Sequence, residues 1–369
     1  MKKYLLVSLI AALSLLAGCG TPAASVSQAP SEAVPSAVES IFSAESSAAP
    51  EIISSKEESE TASTQDSSEV SDSLLDKPTI AVNTETFFQD YLDEPAASDV
   101  YAEVADQFEL REYYDEESGL TIPYQFFTPE DTSAPLPMIM FIGDATCAGT
   151  DMNFSLSQGY GGTIWATKSE QAKRPCYVLV PIFPEIIIAD NVTPHYISDY
   201  VDAAARMVKA VAAENNVDTN RLYTTGQSMG CMTSLYLAAH YPDLFAAELF
   251  VSGQWEMDEL QGLETQTFFY IAAGGDPKAS EGQSNAMADF DSKGVSYSVS
   301  YNWDATLSDA DMEDILRAEI DEGNSRNFGQ FAAGSVLEAN NRGIEHMSSF
   351  DCAYKLDAVR AWLFAQTKE

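Results

Sequence analysis

Three stretches of the chain are apolar at nearly every position, without the polar alternation of a half-exposed strand. They cover residues 137–142, 177–181 and 268–273. Because strands that are hydrophobic on both faces belong to parallel sheets, these stretches predict a buried parallel sheet. Two earlier strand-like stretches, 108–114 and 120–127, flank a turn sequence at Asp115–Gly119 and predict an antiparallel hairpin ahead of that sheet.

Hydrophobic residues at helical spacing separate and follow these stretches. Helices are predicted at 197–213, 231–240, 283–290, 309–320 and 356–364, and further strands at 221–225 and 295–301. A hairpin followed by alternating strands and helices predicts an α/β fold, with a mostly parallel central sheet and helices on both faces. Because such sheets bind ligands beyond the carboxyl ends of their strands, residues at those ends are the first functional candidates.

The start of the chain has the pattern of an export signal. Two lysines and an apolar run lead into Leu16-Ala17-Gly18-Cys19. These four residues resemble a bacterial lipobox, and the resemblance implies that residues 1–18 are removed and that Cys19 is lipidated. We therefore expect an extracytoplasmic protein that contacts the membrane through a lipid on Cys19.

Residues 19–77 are rich in Ser, Ala, Glu, Pro and Thr and nearly free of aromatic residues. Such a segment buries too little apolar surface to offset its chain entropy, so it is predicted to be a disordered tether. From residue 78 the composition is that of a globular protein, and residues 78–369 are predicted to form one α/β domain.

The charge and the cysteines exclude several classes of ligand. The chain has 57 acidic and 19 basic residues and a formal net charge of −38, which argues against nucleic acid and other polyanions. The four cysteines after Cys19 have no C-x-x-C spacing, so no metal site is expected and no disulfide is assigned. A monomer is the default expectation.

The segment from Gly226 to Gly230 reads G-Q-S-M-G and fits the G-x-S-x-G pattern of a nucleophile elbow. Glycines on both sides let the helix that follows cross close to the strand, while the strained middle residue, Ser228, presents its hydroxyl. The Met229 amide lies at the helix N-terminus, where it can stabilise an oxyanion. Because ordinary strand-to-helix turns also match this pattern, the assignment depends on the partners of Ser228.

A serine hydroxyl needs a base, and the chain has three histidines. His346 follows Ser228 at a distance, which fits the order serine, acid, histidine in this architecture. It is predicted to lie in a loop before the last helix. His195 and His240 are predicted to have structural roles and are kept as alternatives.

The acid should lie between the serine and the histidine in the chain, in a loop after a late strand. Asp276 follows a predicted strand and Gly274-Gly275, and it would orient the imidazole. Glu256 and Asp258 are the fallback candidates.

A second oxyanion donor is expected in the loop after residues 137–142, from the backbone amide of Ala145 or of Asp144. A carboxylate is unfavourable beside a developing negative charge, so Asp144 is expected to point away or to bind another group. Gln227, Trp255 and Trp165 are candidates for substrate contacts, and core packing is the alternative for the two tryptophans.

With these residues, the chain resembles the α/β-hydrolase superfamily and is similar to its secreted polyhydroxybutyrate-depolymerase-like and feruloyl-esterase-like branch, often described as predicted peptidases. The segments that carry the resemblance are GLTIPYQFFTPE, PLPMIMFIGDAT, RLYTTGQSMGCM with YPDLFAA, IAAGGDP and EHMSSFDCAYKLDAVRAWLF. The resemblance implies that Ser228, Asp276 and His346 form a catalytic triad. The family pattern has His-Gly where this chain has Gly143-Asp144, so the oxyanion loop departs from it.

These features predict an extracytoplasmic serine hydrolase that acts on small-molecule or polysaccharide-linked carboxylic esters, without metal or organic cofactor. The resemblance suggests feruloyl or acetyl esters of plant cell-wall polysaccharide. A serine peptidase with the same triad, and a binding lipoprotein with little turnover, are the alternatives. Residues 302–345 are predicted to be an insertion, interpreted as a lid or as surface decoration, because few connections in a compact domain are so long.

Overall fold

A computed structural model describes residues 94–368 of the 369-residue chain. The predicted signal peptide, the tether and Cys19 lie outside these residues. The strands are β1 (Phe108–Tyr114), β2 (Thr121–Phe127), β3 (Leu136–Ile142), β4 (Tyr177–Pro181), β5 (Ile188–Ala189), β6 (Tyr196–Ile197), β7 (Val217–Gln227), β8 (Ala247–Val251), β9 (Phe268–Ala273), β10 (Ser298–Trp303) and β11 (Arg326–Phe331). The helices are α1 (Ala97–Val104), α2 (Phe154–Ser157), α3 (Lys168–Lys173), α4 (Asp199–Glu214), α5 (Met229–His240), α6 (Pro277–Lys293), α7 (Asp309–Ile320), α8 (Ser335–Ala339), α9 (Glu345–Tyr354) and α10 (Asp357–Ala365).

Nine of the described strands form one sheet in the order β1-β2-β4-β3-β7-β8-β9-β11-β10. β1 pairs antiparallel with β2, which confirms the predicted hairpin, and β2 also pairs antiparallel with β4. All other neighbours in the sheet are parallel. The carboxyl ends of β3, β7, β8 and β9 therefore meet at one edge, and the loops with Ala145, Ser228 and Asp276 begin there.

The apolar stretches predicted most of these elements, and β4, β9 and α7 have the predicted bounds. Helix α6 is longer than expected because its first two turns are mostly polar and give no hydrophobic signal. Its start is nevertheless well defined. Pro277 occupies the first turn, and the side chain of Asp276 accepts a hydrogen bond from the Ala279 amide.

The prediction of an insertion or lid at residues 302–345 is wrong. This segment contains α7, β11 and α8, and β11 lies inside the sheet between β9 and β10. The sequence RNFGQF hides this strand because it lacks β-branched residues and contains a glycine. The structure needs that glycine, since a Cβ at Gly329 would lie 1.9 Å from the Trp303 ring.

Two buried apolar layers cover the two faces of the sheet. One layer receives α4, α5 and α6, with Val208, Leu235 and Phe290 among its residues. The other receives α1, α7, α9 and α10, with Val100, Leu316, Phe350 and Trp362 among its residues. Both helical layers therefore pack apolar stripes onto strands that are hydrophobic on both sides.

A buried ionic cluster joins the C-terminal helix α10 to α3. The Arg360 side chain has no exposed surface. It forms salt bridges with Glu170 at 3.3 Å, with Asp357 at 3.2 Å and with Glu94. Arg174 contacts Glu170 from the other side at 2.5 Å. Burial raises the pKa of Glu170, but the attraction of Arg360 and Arg174 outweighs burial, so this pKa lies below its usual value.

We expect Arg360→Met to lower the free energy of unfolding by about 3–5 kcal/mol at pH 7, because it removes the fully buried cation of the cluster and leaves Arg174 alone to pair with the buried Glu170. Urea unfolding followed by circular dichroism measures the change. The matched control is Arg111→Met, whose exposed partner is Glu109 and which should cost about 1 kcal/mol or less. A buried arginine that behaves like the control would contradict this account of the cluster.

The same cluster predicts a direction for the pH dependence. Since the folded-state pKa of Glu170 is below its unfolded value of 4.5, its contribution is present above about pH 4.5 and is lost as the pH falls. The difference in unfolding free energy between wild type and Arg360→Met should therefore shrink on acidification. Urea titrations of both proteins at several pH values, from neutral to acidic, measure this difference. A difference that does not change with pH would contradict the role of the cluster in stability.

Candidate active site

Ser228 lies in the tight turn between β7 and α5, with φ of 53° and ψ of −114°. Positive φ is unfavourable for a residue with a side chain and costs about 1–3 kcal/mol. The glycines of the motif make the turn sterically feasible. A Cβ at Gly226 would lie 2.3 Å from the backbone of Gly230, and one at Gly230 would lie 1.9 Å from the Ile142 carbonyl oxygen.

The structure brings Ser228, His346 and Asp276 into one hydrogen-bonded line. The His346 Nε2 atom lies 2.8 Å from Ser228 Oγ, and its Nδ1 atom lies 2.6 Å from Asp276 Oδ2. An ionised carboxylate can only accept, so Nδ1 carries the proton toward Asp276 and Nε2 is left to accept from the serine hydroxyl. This is the arrangement in which a histidine can remove the serine proton.

Asp276 is buried at the start of α6, directly after β9. Its two oxygens have different partners, because Oδ1 faces the Ala279 amide at 3.4 Å while Oδ2 accepts from His346. The cap fixes the carboxylate, and the carboxylate in turn orients the imidazole.

The sequence predicts that His346 lies in a loop. The structure shows instead that it is the second residue of helix α9. Its carbonyl accepts from the Ser349 hydroxyl at 2.8 Å, and that hydroxyl lies 2.6 Å from Ser252 at the end of β8. The Phe350 ring packs edge-on against the imidazole at 5.2 Å. The base is therefore held by a helix that is itself attached to the sheet.

The alternative bases and acids lie elsewhere. His240 stacks on Tyr236 at the end of α5, with ring centroids 3.8 Å apart. His195 Nε2 lies 3.5 Å from Glu256 Oε1, so that fallback acid contacts a different histidine. Asp258 is exposed. Asp276, by contrast, is hydrogen-bonded to the predicted base at 2.6 Å.

Two of the three predicted oxyanion donors, Met229 and Ala145, occupy the first positions of helical turns, and the third, Asp144, is the residue that caps the turn of Ala145. Met229 begins α5, and Ala145 begins a short 3₁₀ turn, Ala145–Cys147, after β3. Amides at such positions have no partner within their own helix and can donate to a ligand. The helix dipole of α5 adds partial positive charge at Met229.

The Asp144 carboxylate is bound to other groups and is almost fully buried. One oxygen accepts from the Thr146 amide at 2.8 Å and from the Thr146 hydroxyl at 2.5 Å. The other accepts from Gln158, and Gln227 lies 3.5 Å from it. These donors satisfy the negative charge next to the oxyanion loop.

Gln158 joins this loop to the elbow. Its side-chain oxygen accepts from Gln227 at 2.8 Å and from the Cys147 thiol at 3.1 Å. Gln227 was predicted to contact substrate, but it is 2% exposed and its amide donates into this network instead. Sequence reasoning missed Gln158 because a single glutamine in a polar segment carries no distinguishing pattern.

The two candidate tryptophans have different environments. Trp165 is fully buried between Tyr354 and Phe364, and its indole donates to the Gly161 carbonyl at 2.7 Å, so its predicted substrate contact is wrong. Trp255 is 4% exposed and packs near His195 with ring centroids 5.5 Å apart. Its indole nitrogen has no hydrogen-bond partner within residues 94–368.

Within the part of the chain that the structure describes, no three His, Cys, Asp or Glu side chains are grouped so that they could hold a metal ion. The same part contains no helix with the length and apolar character needed to cross a bilayer. The four cysteines in it are buried free thiols.

Parts of the chain are similar to known esterases. Residues 187–338, less than half of the chain, match the family model described as "Putative esterase". A solved structure described as a thermostable esterase aligns with a TM-score of 0.53 at 22% identity, over 71% of this chain and 64% of that chain. The chain has the α/β-hydrolase fold. Within this fold, Ser228, Asp276 and His346 follow the order serine, acid, histidine.

Two curated relatives are acetylxylan esterases. Acetylxylan esterase A of Emericella nidulans is 26% identical over 140 residues, which are 36% of this chain and 42% of the relative. Acetylxylan esterase A of Aspergillus ficuum is 30% identical over 115 residues, which are 29% of this chain and 35% of the relative. The chain therefore spans less than half the length of either relative. Its α/β-hydrolase domain is esterase-like in sequence.

We expect a fluorophosphonate probe to label the protein at Ser228, because His346 can remove its proton. Ser228→Ala should not be labelled, and His346→Ala should be labelled at least about 100-fold more slowly. His195→Ala and His240→Ala are matched controls and should be labelled at the wild-type rate. Gel fluorescence and mass spectrometry of the labelled peptide measure the outcome, and undiminished labelling of Ser228→Ala would contradict it.

Gln158→Leu should slow fluorophosphonate labelling by about 10–100-fold, because it frees the loop that carries Ala145 from the elbow. It should also destabilise the domain by about 1–3 kcal/mol, since Asp144 loses a buried donor. The control is Ser157→Ala, an exposed neighbour. Equal labelling rates for the two variants would show that the network does not fix the oxyanion loop.

Proposed function

We propose that this protein is a serine hydrolase that cleaves carboxylic esters through an acyl-enzyme. The single observation that carries the proposal is the line from Ser228 through His346 to Asp276, with hydrogen-bond distances of 2.8 and 2.6 Å. Similarity of residues 187–338 to an esterase family, and of shorter stretches to acetylxylan esterases, supports an ester as the bond that is cleaved.

In the acylation step, Ser228 Oγ attacks the ester carbonyl carbon while His346 Nε2 takes the hydroxyl proton. Asp276 stabilises the imidazolium that forms, because its carboxylate already accepts from Nδ1. The carbonyl oxygen becomes an oxyanion and accepts from the Met229 and Ala145 amides. Fixed donors of this kind typically lower the barrier by about 3–4 kcal/mol each.

The leaving alcohol then takes the proton from His346 Nε2 as its C–O bond breaks, which leaves the acyl group on Ser228. A water molecule next gives a proton to the same nitrogen and attacks the acyl carbon. Collapse of the second tetrahedral intermediate releases the carboxylic acid and returns the proton to Ser228 Oγ. Each step uses the same base and the same donors, so no cofactor takes part.

We further propose that the substrate is a polysaccharide-linked ester and that the enzyme acts outside the cytoplasm, attached to the membrane through a lipid on Cys19. The acetylxylan esterase relatives support the first part. The second part rests on the sequence of residues 1–19. Metabolic labelling with an alkyne fatty acid, compared with Cys19→Ser, tests the anchor.

Ser228→Ala should reduce kcat/KM for aryl acetate hydrolysis by at least about 10³-fold, because the covalent step is lost. Its circular dichroism spectrum and urea midpoint should remain those of a folded domain. Ser284→Ala, an exposed serine on α6, is the control and should retain full activity. Full ester hydrolysis by Ser228→Ala would refute the proposed mechanism.

The same preparation should be assayed on acetylated xylan, feruloyl esters and a peptide panel. Release of acetate or ferulate at rates above those for peptides supports the esterase. Peptide cleavage that depends on Ser228 would instead identify a peptidase, and a folded protein without any turnover would identify a binding protein.

A further inference from the structure

Glu345 is the first residue of α9 and directly precedes His346. Each of its carboxylate oxygens accepts a backbone amide from a different loop. Oε2 accepts from Gly275 at 2.8 Å, and Oε1 accepts from Gly334 at 2.6 Å. Hydrogen bonds of an ionised acceptor are shorter and stronger than neutral ones, so these contacts fix the start of α9 well.

Gly275 and Asp276 are consecutive in the chain, and so are Glu345 and His346. Each residue of the first pair forms a hydrogen bond with one residue of the second pair. The Gly275 amide binds Glu345, and the Asp276 carboxylate binds His346 at 2.6 Å. The two bonds run side by side between the loop after β9 and the start of α9. A single bond between side chains would leave both segments able to shift, whereas the second bond sets their separation.

The sequence around Gly275 leaves space for this contact. A Cβ at Gly275 would lie 2.1 Å from Glu345 Oε1, so the carboxylate packs directly over the glycine. Gly334 has a φ of 90°, a left-handed conformation that glycine adopts without strain. Gly275 belongs to the Gly274-Gly275 pair that helped to predict Asp276 as the acid. The same glycine therefore also leaves room for the Glu345 side chain.

We infer that Glu345 is a positioning residue that sets the distance between Asp276 and His346. This inference rests on the proposed function. Glu345 acts through Asp276 rather than on substrate, so it should affect kcat and leave KM unchanged. Displacements near 1 Å in a catalytic group can cost about 100-fold in rate, which sets the scale of the effect.

Glu345→Ala should lower kcat for aryl acetate hydrolysis by about 10–100-fold at unchanged KM. Glu345→Gln should recover part of the loss, because its amide oxygen can still accept one of the two bonds. Gly275→Ala should reproduce the loss while Glu345 is intact, since the added methyl displaces the carboxylate and Gly275 is not among the glycines with positive φ. Glu338→Ala, an exposed acidic residue on α8, is the control and should keep wild-type kcat.

The decisive measurement is a double-mutant cycle with Asp276→Ala. If Glu345 works by placing Asp276, its removal should cost less than about threefold when Asp276 is already absent. An undiminished cost in that background would overturn the inference and indicate that Glu345 serves only the fold. Wild-type kcat in Glu345→Ala would also overturn it.

Two outcomes separate this inference from the proposed function. Wild-type activity in Ser228→Ala would refute the mechanism itself. Dependence on Ser228 together with full activity of both Glu345→Ala and Gly275→Ala would refute only the role of Glu345. Should Glu345→Ala fail to fold, Glu345→Gln and Gly275→Ala still provide the test.

Discussion

The narrow space between helix α5 and strands β3 and β7 is the constraint on which the site depends. Gly226 and Gly230 remove the two Cβ atoms that would otherwise collide there. Ser228 is consequently held at positive φ, where its hydroxyl projects beyond the sheet and the next amide lies at a helix N-terminus. The strain, about 1–3 kcal/mol, is sustained because β7 is hydrogen-bonded on both sides by β3 and β8.

His346 and Asp276, the proposed base and acid, are also held by regular structure although they lie far from Ser228 in the chain. Asp276 caps α6, and the carbonyl of His346 is attached to the end of β8 through Ser349 and Ser252. Helix α10, which follows α9, is anchored in turn by the buried Arg360 cluster. Each group therefore sits on a regular element or its first turn, which suits a site that needs sub-ångström placement.

The oxyanion loop shows how an unfavourable charge is tolerated near such a site. Asp144 is almost fully buried in the loop after β3, its carboxylate accepts from Thr146 and Gln158, and the Gln227 amide lies 3.5 Å from it. These backbone, hydroxyl and amide donors stabilise the charge of the buried carboxylate by hydrogen bonding. The same bonds connect the loop to the residue before Ser228, so the carboxylate braces the loop against the elbow.

The sequence by itself determined the α/β fold, and it singled out Ser228 with His346 and Asp276 as the first candidates for its partners. Buried parallel strands are recognisable because they are apolar on both faces. The candidates could be named because G-x-S-x-G marks a strand-to-helix turn and the chain has three histidines. The tertiary structure alone decided that β11 completes the sheet, that His346 lies on a helix and that Trp165 and Gln227 are interior residues. It also revealed Gln158 and Glu345. Both residues act through contacts between segments that are far apart in the chain. A single polar residue adds nothing to the hydrophobic periodicity, so such contacts cannot be predicted from the sequence pattern.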